Sequence, residues 1–169
     1  SDGSGKTTLV SSYIDTFQFP CLWYQIDQED TDPATFFYYL GHAAKKAIPR
    51  KRKPLPLLTP EYLQGVPTFT LRYFENLFNR LKIPSVLIFD NYHEVAIHSP
   101  FHEIILNGLS RIPEGINVIL ISRHEPPPIL IQLRANQLME MIGWDERRFT
   151  SEESIGLVKL HTKGKMSRE

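Results

Sequence analysis

Residues 3–8 read Gly-Ser-Gly-Lys-Thr-Thr and run directly into LVSSYIDTF, a stretch suited to a helix. Few strings of this length constrain a fold so tightly. Glycines let successive backbone amides turn toward one anion, and a helix starting behind them adds the positive end of its dipole. With Lys6 and Thr7 next in order, the string fits a phosphate loop: Gly, four residues, then Gly-Lys-Ser/Thr, with Ser1 to Ser4 as the four spacers. The first glycine of that pattern would precede Ser1, and the buried strand that normally feeds such a loop is expected to be missing. In this reading Gly3, Ser4 and Gly5 cradle phosphate oxygens, Lys6 neutralises the β and γ phosphates, Thr7 coordinates Mg²⁺, and Thr8 donates to the α phosphate. The plainer alternative is a glycine-serine turn capping a helix that happens to carry Lys-Thr-Thr.

A phosphate loop predicts a parallel sheet with helices on both faces, and the rest of the chain has that rhythm. Four short apolar runs read as strands: Cys21–Asp27, Ser85–Asp90, Asn117–Ser122 and Leu138–Ile142. Asp32 before Pro33, and Ser99 before Pro100, each pair an N-cap with a proline at the first helical position. Between Glu61 and Leu81 an apolar stripe at Leu71, Phe74, Leu77, Phe78 and Leu81 predicts an amphipathic helix, its start blurred by Gly65 and Pro67. The run PRKRKPLPLLTP at 49–60 reads as a solvated surface loop, with a nucleic-acid patch or localisation signal as the alternative. Thr150 and Glu153 form a capping box for a short helix, after which HTKGKMSRE is polar and without period. The expected organisation is an α/β ATPase core over 1–145 and, over 146–169, the start of a helical region with a polar tail.

The strand SVLIFD ends in Asp90, where a Walker B carboxylate would hold the metal of a bound nucleotide. Arg123 follows the strand NVILIS and would lie at the same sheet edge, placed to sense a γ-phosphate. The bland alternatives are a turn-capping aspartate and a surface arginine. Asn91 sits where many such ATPases carry the acid that deprotonates water; an amide can orient water and cannot accept its proton, so binding is expected to survive better than turnover. Glu94, or the acidic turn Asp27, Glu29 and Asp30, is a candidate substitute base, with solvation of an ordinary turn as the competing account. His98 and His102 have the i, i+4 spacing of metal ligands but no third ligand follows, and His93 is read as structural. Trp23, Tyr24 and Phe36 to Tyr39 are read as core packing in preference to a base-stacking platform.

Bulk properties agree with a one-domain globular chain. The 19 basic side chains balance 19 acidic ones, so no overall charge draws this protein to nucleic acid or anionic lipid. The lone Cys21 has no disulfide partner within the chain, and no apolar run approaches bilayer length, so a cytoplasmic setting is expected.

Taken together, GSGKTTL, LWYQIDQEDTDPATFFYYL, VLIFDNYHEV, INVILISRHEPP and LRANQLMEMIG with RFTSEES resemble the large ATP-binding transcriptional regulators of the LuxR type. These form the family of the maltose-regulon activators, within the signal-transduction branch of P-loop ATPases. The resemblance implies a three-layer sandwich with strand order 5-1-4-3-2 (strand 1 missing here), ATP and Mg²⁺ as ligands, and self-association in the ATP-bound state. It assigns Gly5, Lys6 and Thr7 to Walker A, Asp90 to Walker B and Arg123 to the sensor. DNA contact is expected only through domains outside this chain. Where the family usually has Asp-Asp-Tyr-His, this chain has Asp90-Asn91-Tyr92-His93, which makes slow or impaired hydrolysis the expectation. The alternatives are a working AAA-like ATP hydrolase or motor, and an inactive gene fragment.

Overall fold

The computed structural model describes residues 5–50 and 53–142. Three parallel strands, β1 (Cys21–Gln25), β2 (Ser85–Asp90) and β3 (Ile116–Leu120), lie side by side in that order. Trp23 faces Ile88 across the first pairing and Ile88 faces Ile119 across the second, so the apolar residues of all three strands stand in rows. β2 is central and buried at every position, which is why its sequence is unbroken by a charge until Asp90.

Alternation along the strands divides the core in two. Val86, Ile88 and Ile119 face Ile14 of α1 (Lys6–Phe17). Leu22, Tyr24, Leu87, Phe89 and Val118 face the other way, into a larger core shared with α2 (Pro33–Ala47), α3 (Val66–Phe78), α4 (Phe101–Leu109) and α5 (Pro128–Ala135). Phe36, wholly buried, sits amid Tyr24, Phe37, Phe89 and Phe101 with ring centroids 4.9–6.3 Å away. α3 and α4 approach so closely at Gly108 that a Cβ there would lie 2.4 Å from the Phe74 ring. Helices on both faces of a parallel sheet in the order β1-β2-β3 are compatible with the expected three-layer arrangement.

The boundaries follow local chemistry. Asp32 caps α2 as expected: its carboxylate accepts from the Thr35 amide at 2.8 Å, with Pro33 as first helical residue. Ser99 does similar work one position earlier than expected, its hydroxyl accepting from the Phe101 amide at 3.2 Å while Pro100 takes the cap position. The long helix before β2 begins at Val66, after a 3₁₀ turn at Pro60–Gly65, so Gly65 marks a junction.

One strand expectation fails. Leu138–Ile142 is irregular, because a strand exists through its neighbours' hydrogen bonds and none stands beside it among the described residues. A groove of about 260 Å³ lies there, lined by Val118 to Ser122 of the β3 edge, by Leu9 and Val10, and by Met139 to Ile142. The aromatic run at 36–39 also splits: Phe36 and Phe37 are core, whereas Tyr38 and Tyr39 are about half exposed, since four consecutive helical residues cannot share one face. No helix among the described residues is long and apolar enough to cross a membrane. Gly3, Ser4, the end of the 1–145 unit and the capping box at Thr150 lie outside the described residues.

Candidate functional site

The carboxyl ends of β2 and β3 meet the N-terminus of α1, and the chemistry-bearing residues gather there. Gly5 precedes α1 with φ 64°, a left-handed conformation that a residue with a side chain adopts only under strain. That geometry starts the helix at Lys6, and among the described residues no side chain caps the positive end of its dipole. Lys6 hydrogen-bonds through Nζ to the Ser122 carbonyl just past β3. Thr7 reaches the other strand: its Oγ1 lies 3.3 and 3.2 Å from the two carboxylate oxygens of Asp90. Thr8 is exposed on the first turn.

Asp90 is 5% exposed and closes β2. Its carboxylate accepts from the Asn91 amide at 2.8 Å, while its carbonyl accepts from Ile26 at 2.9 Å. The chain then turns sharply, because Asn91 is left-handed at φ 57°, a conformation asparagine tolerates better than most residues. A hydroxyl and a carboxylate brought together across 83 residues form a pair of hard oxygen donors of the kind Mg²⁺ takes.

Arg123 is exposed, immediately after Ser122. It acts electrostatically on His93, as do Lys6 and His124. The rings of His93 and His124 stand edge to face with centroids 5.9 Å apart. Burial, with the Arg123 charge next in effect, lowers the His93 pKa below its usual value; Glu94, whose Oε1 is 3.4 Å from Nε2, works the other way. Reading His93 as a structural residue missed this placement; the available signal was its position three residues beyond Asp90.

No family model matches the chain. Curated proteins do. The chain is similar to MalT, an HTH-type transcriptional regulator. The protein of that name from Serratia proteamaculans is 31% identical over 166 residues, that from Vibrio cholerae 31% over 157, and that from Yersinia enterocolitica 28% over 165. Each alignment takes in 90% of this chain, which spans 17% of the length of these MalT proteins. The similarity to MalT therefore runs through Asp90 and Arg123, far beyond a phosphate-loop string alone.

Two other candidates resolve differently. The acidic turn is not simply solvated: Asp27 and Asp30 form a reciprocal capping box, and Asp30, 2% exposed, accepts from the Tyr24 hydroxyl at 2.5 Å. Burial raises the Asp30 pKa, opposed by those hydrogen bonds, and drives the Tyr24 hydroxyl far above its ordinary range. These two carboxylates build the turn; Glu29 beside them is exposed. His102 is a satisfied core histidine, with Nδ1 2.9 Å from the Tyr92 hydroxyl and Nε2 2.9 Å from the Ala96 carbonyl. The carbonyl can only accept, so Nε2 carries the proton and Nδ1 accepts from Tyr92.

Proposed function

We propose that this chain is the nucleotide-binding switch core of a transcriptional regulator, with Mg²⁺ and ATP as regulatory ligands. The observation that carries the reading is the meeting of Thr7 with Asp90 at the sheet edge where α1 begins and Lys6 stands. There the α1 amides and Lys6 bind phosphate oxygens, Thr7 and Asp90 hold Mg²⁺, and Arg123 senses the terminal phosphate. Bound Mg²⁺ would neutralise phosphate charge and fix its orientation. Similarity to the MalT regulators supports the transcriptional role. In this reading ATP favours self-association in the cytoplasm, and DNA is contacted outside this chain.

Hydrolysis is slow in this reading. Asn91 offers no base, and Asp27 and Asp30 are committed to their turn. Calorimetric titration with Mg-ATP tests the binding role: Lys6→Ala should weaken ATP at least tenfold, and equal affinity would reject it. Asn91→Asp should raise turnover, and an unchanged rate would show that the base lies elsewhere.

A further inference from the structure

The basic, proline-rich run at 49–60 is a motif that the ATP-binding reading leaves unused. Leu55 and Leu58 are buried, so this loop is anchored in the core and is not simply solvated. Leu55 packs on α2 at Gly41, where a Cβ on the glycine would lie 3.9 Å from the leucine's own. Pro54, Pro56 and Pro60 fix φ along the segment and limit its freedom. Just past α3, the Arg80 guanidinium donates to the carbonyls of Lys53 at 2.6 Å and Pro54 at 3.0 Å, which ties the loop to that helix end.

Between the loop and α2 lies a pocket of about 190 Å³. Phe37 and Leu55 give it apolar walls, and Tyr38 and His42 add two rings, edge to face with centroids 4.5 Å apart. Among the described residues, every charged side chain that lines it is basic: Lys45, Lys53 and Arg80. None of the three has a carboxylate within ion-pair distance among those residues. A helix dipole accounts for Lys45, in the last turn of α2, but not for the loop ammonium of Lys53. The partners of Arg80 are neutral carbonyls, which occupy its N–H groups and leave its charge uncompensated. Like charges around one cavity repel one another, and an anion seated among them relieves that repulsion.

We infer that this pocket binds a small organic anion, a phosphate or carboxylate carried on a short apolar body. The head group lies among Lys45, Lys53 and Arg80, whose planar fork is held by the two carbonyls before any ligand arrives. The body lies against Phe37, Leu55 and the Tyr38 ring. The pocket is smaller than the roughly 300–1,000 Å³ of sites for drug-sized ligands, which limits the occupant to a smaller molecule. Arg80 stands between α3 and the first residue of β2, at the amino end of that strand, whereas Thr7 and Asp90 meet at the carboxyl end. The two sites are therefore separate, and this one does not depend on the nucleotide reading.

The test is an NMR titration of the isotopically labelled chain with phenyl phosphate and with benzoate. Inorganic phosphate and benzyl alcohol serve as probes that keep only the anion or only the ring. Phenyl phosphate or benzoate should cause saturable shifts at the amides of residues 41–48 and of Leu55, Leu57 and Arg80, and the tighter of the two identifies the head group. Each partial probe should bind at least about fivefold more weakly than that ligand. Arg80→Ala should weaken binding about tenfold or more. Because that variant also releases the loop carbonyls, Lys53→Glu is the second test: it should weaken binding as much and melt with wild type. Absence of saturable shifts from both ligands, shifts confined to residues 5–8 and 90–93, a partial probe that binds as tightly, or unchanged affinity in Lys53→Glu would each overturn the site.

Discussion

The aromatic face of the sheet and its carboxyl edge obey opposite rules. On the face, Phe36, Phe37, Tyr73, Phe74 and Phe101 are almost wholly buried, and the Tyr73 hydroxyl finds a partner in the Phe37 carbonyl at 2.7 Å. At the edge, a glycine and an asparagine hold left-handed backbone, and among the described residues no side chain caps the start of α1 and the half-buried His93 imidazole makes no hydrogen bond. The first region is optimised for itself. The second departs from local consistency, and departures of that kind are expected at functional sites.

That contrast can be broken most forcefully from the face. Phe36→Ala should cost about 3–5 kcal/mol in denaturant unfolding, since the ring contacts three other aromatics besides its neighbour Phe37 and the cavity cannot collapse. Gly108→Ala adds one methyl against Phe74 and should cost about 1–3 kcal/mol by the same measurement. A smaller, pH-dependent effect comes from His102, whose folded pKa is lowered from 6.5, mainly by burial. The unfolded chain then binds the proton more readily, so this stability is present above 6.5 and is lost as pH falls through the folded value. His102→Leu should flatten the melting-temperature profile below pH 6.5, with His93, shifted the same way, keeping its own share. At the edge, Lys6→Ala removes its hydrogen bond to the Ser122 carbonyl and should cost no more than about 1.5 kcal/mol of stability while weakening ATP. A large stability loss there would erase the distinction between the two regions.

Much of this was legible in the sequence where the signal is local. SVLIFD is β2 to the residue, because its apolar run begins after Pro84 and ends at Asp90. Asp32-Pro33 placed the start of α2 because capping needs nothing beyond neighbouring residues. NVILIS was recognised to within one residue at its start and two at its end, the sheet adding Ile116 and releasing Ile121 and Ser122 to the edge. The failures involve distance along the chain. LMEMI has the composition of a strand, yet composition does not supply a pairing partner. His93 and His102 are alike in the sequence; His102 is hydrogen-bonded to Tyr92 and Ala96, whereas His93 stands against the His124 ring and beside Glu94. Asp30 gave the same lesson in reverse, since a cluster of acids suggested solvent and the fold placed Tyr24 over it.

The left-handed backbone at Asn91 has a consequence for how the molecule can change. At φ 57° the residues that fit without strain are few, chiefly glycine, asparagine and aspartate. One base change converts asparagine to aspartate there, adding a proton acceptor while leaving the turn intact. Position 91 can therefore gain or lose a carboxylate beside Asp90 in one mutational step without disturbing the turn that holds both.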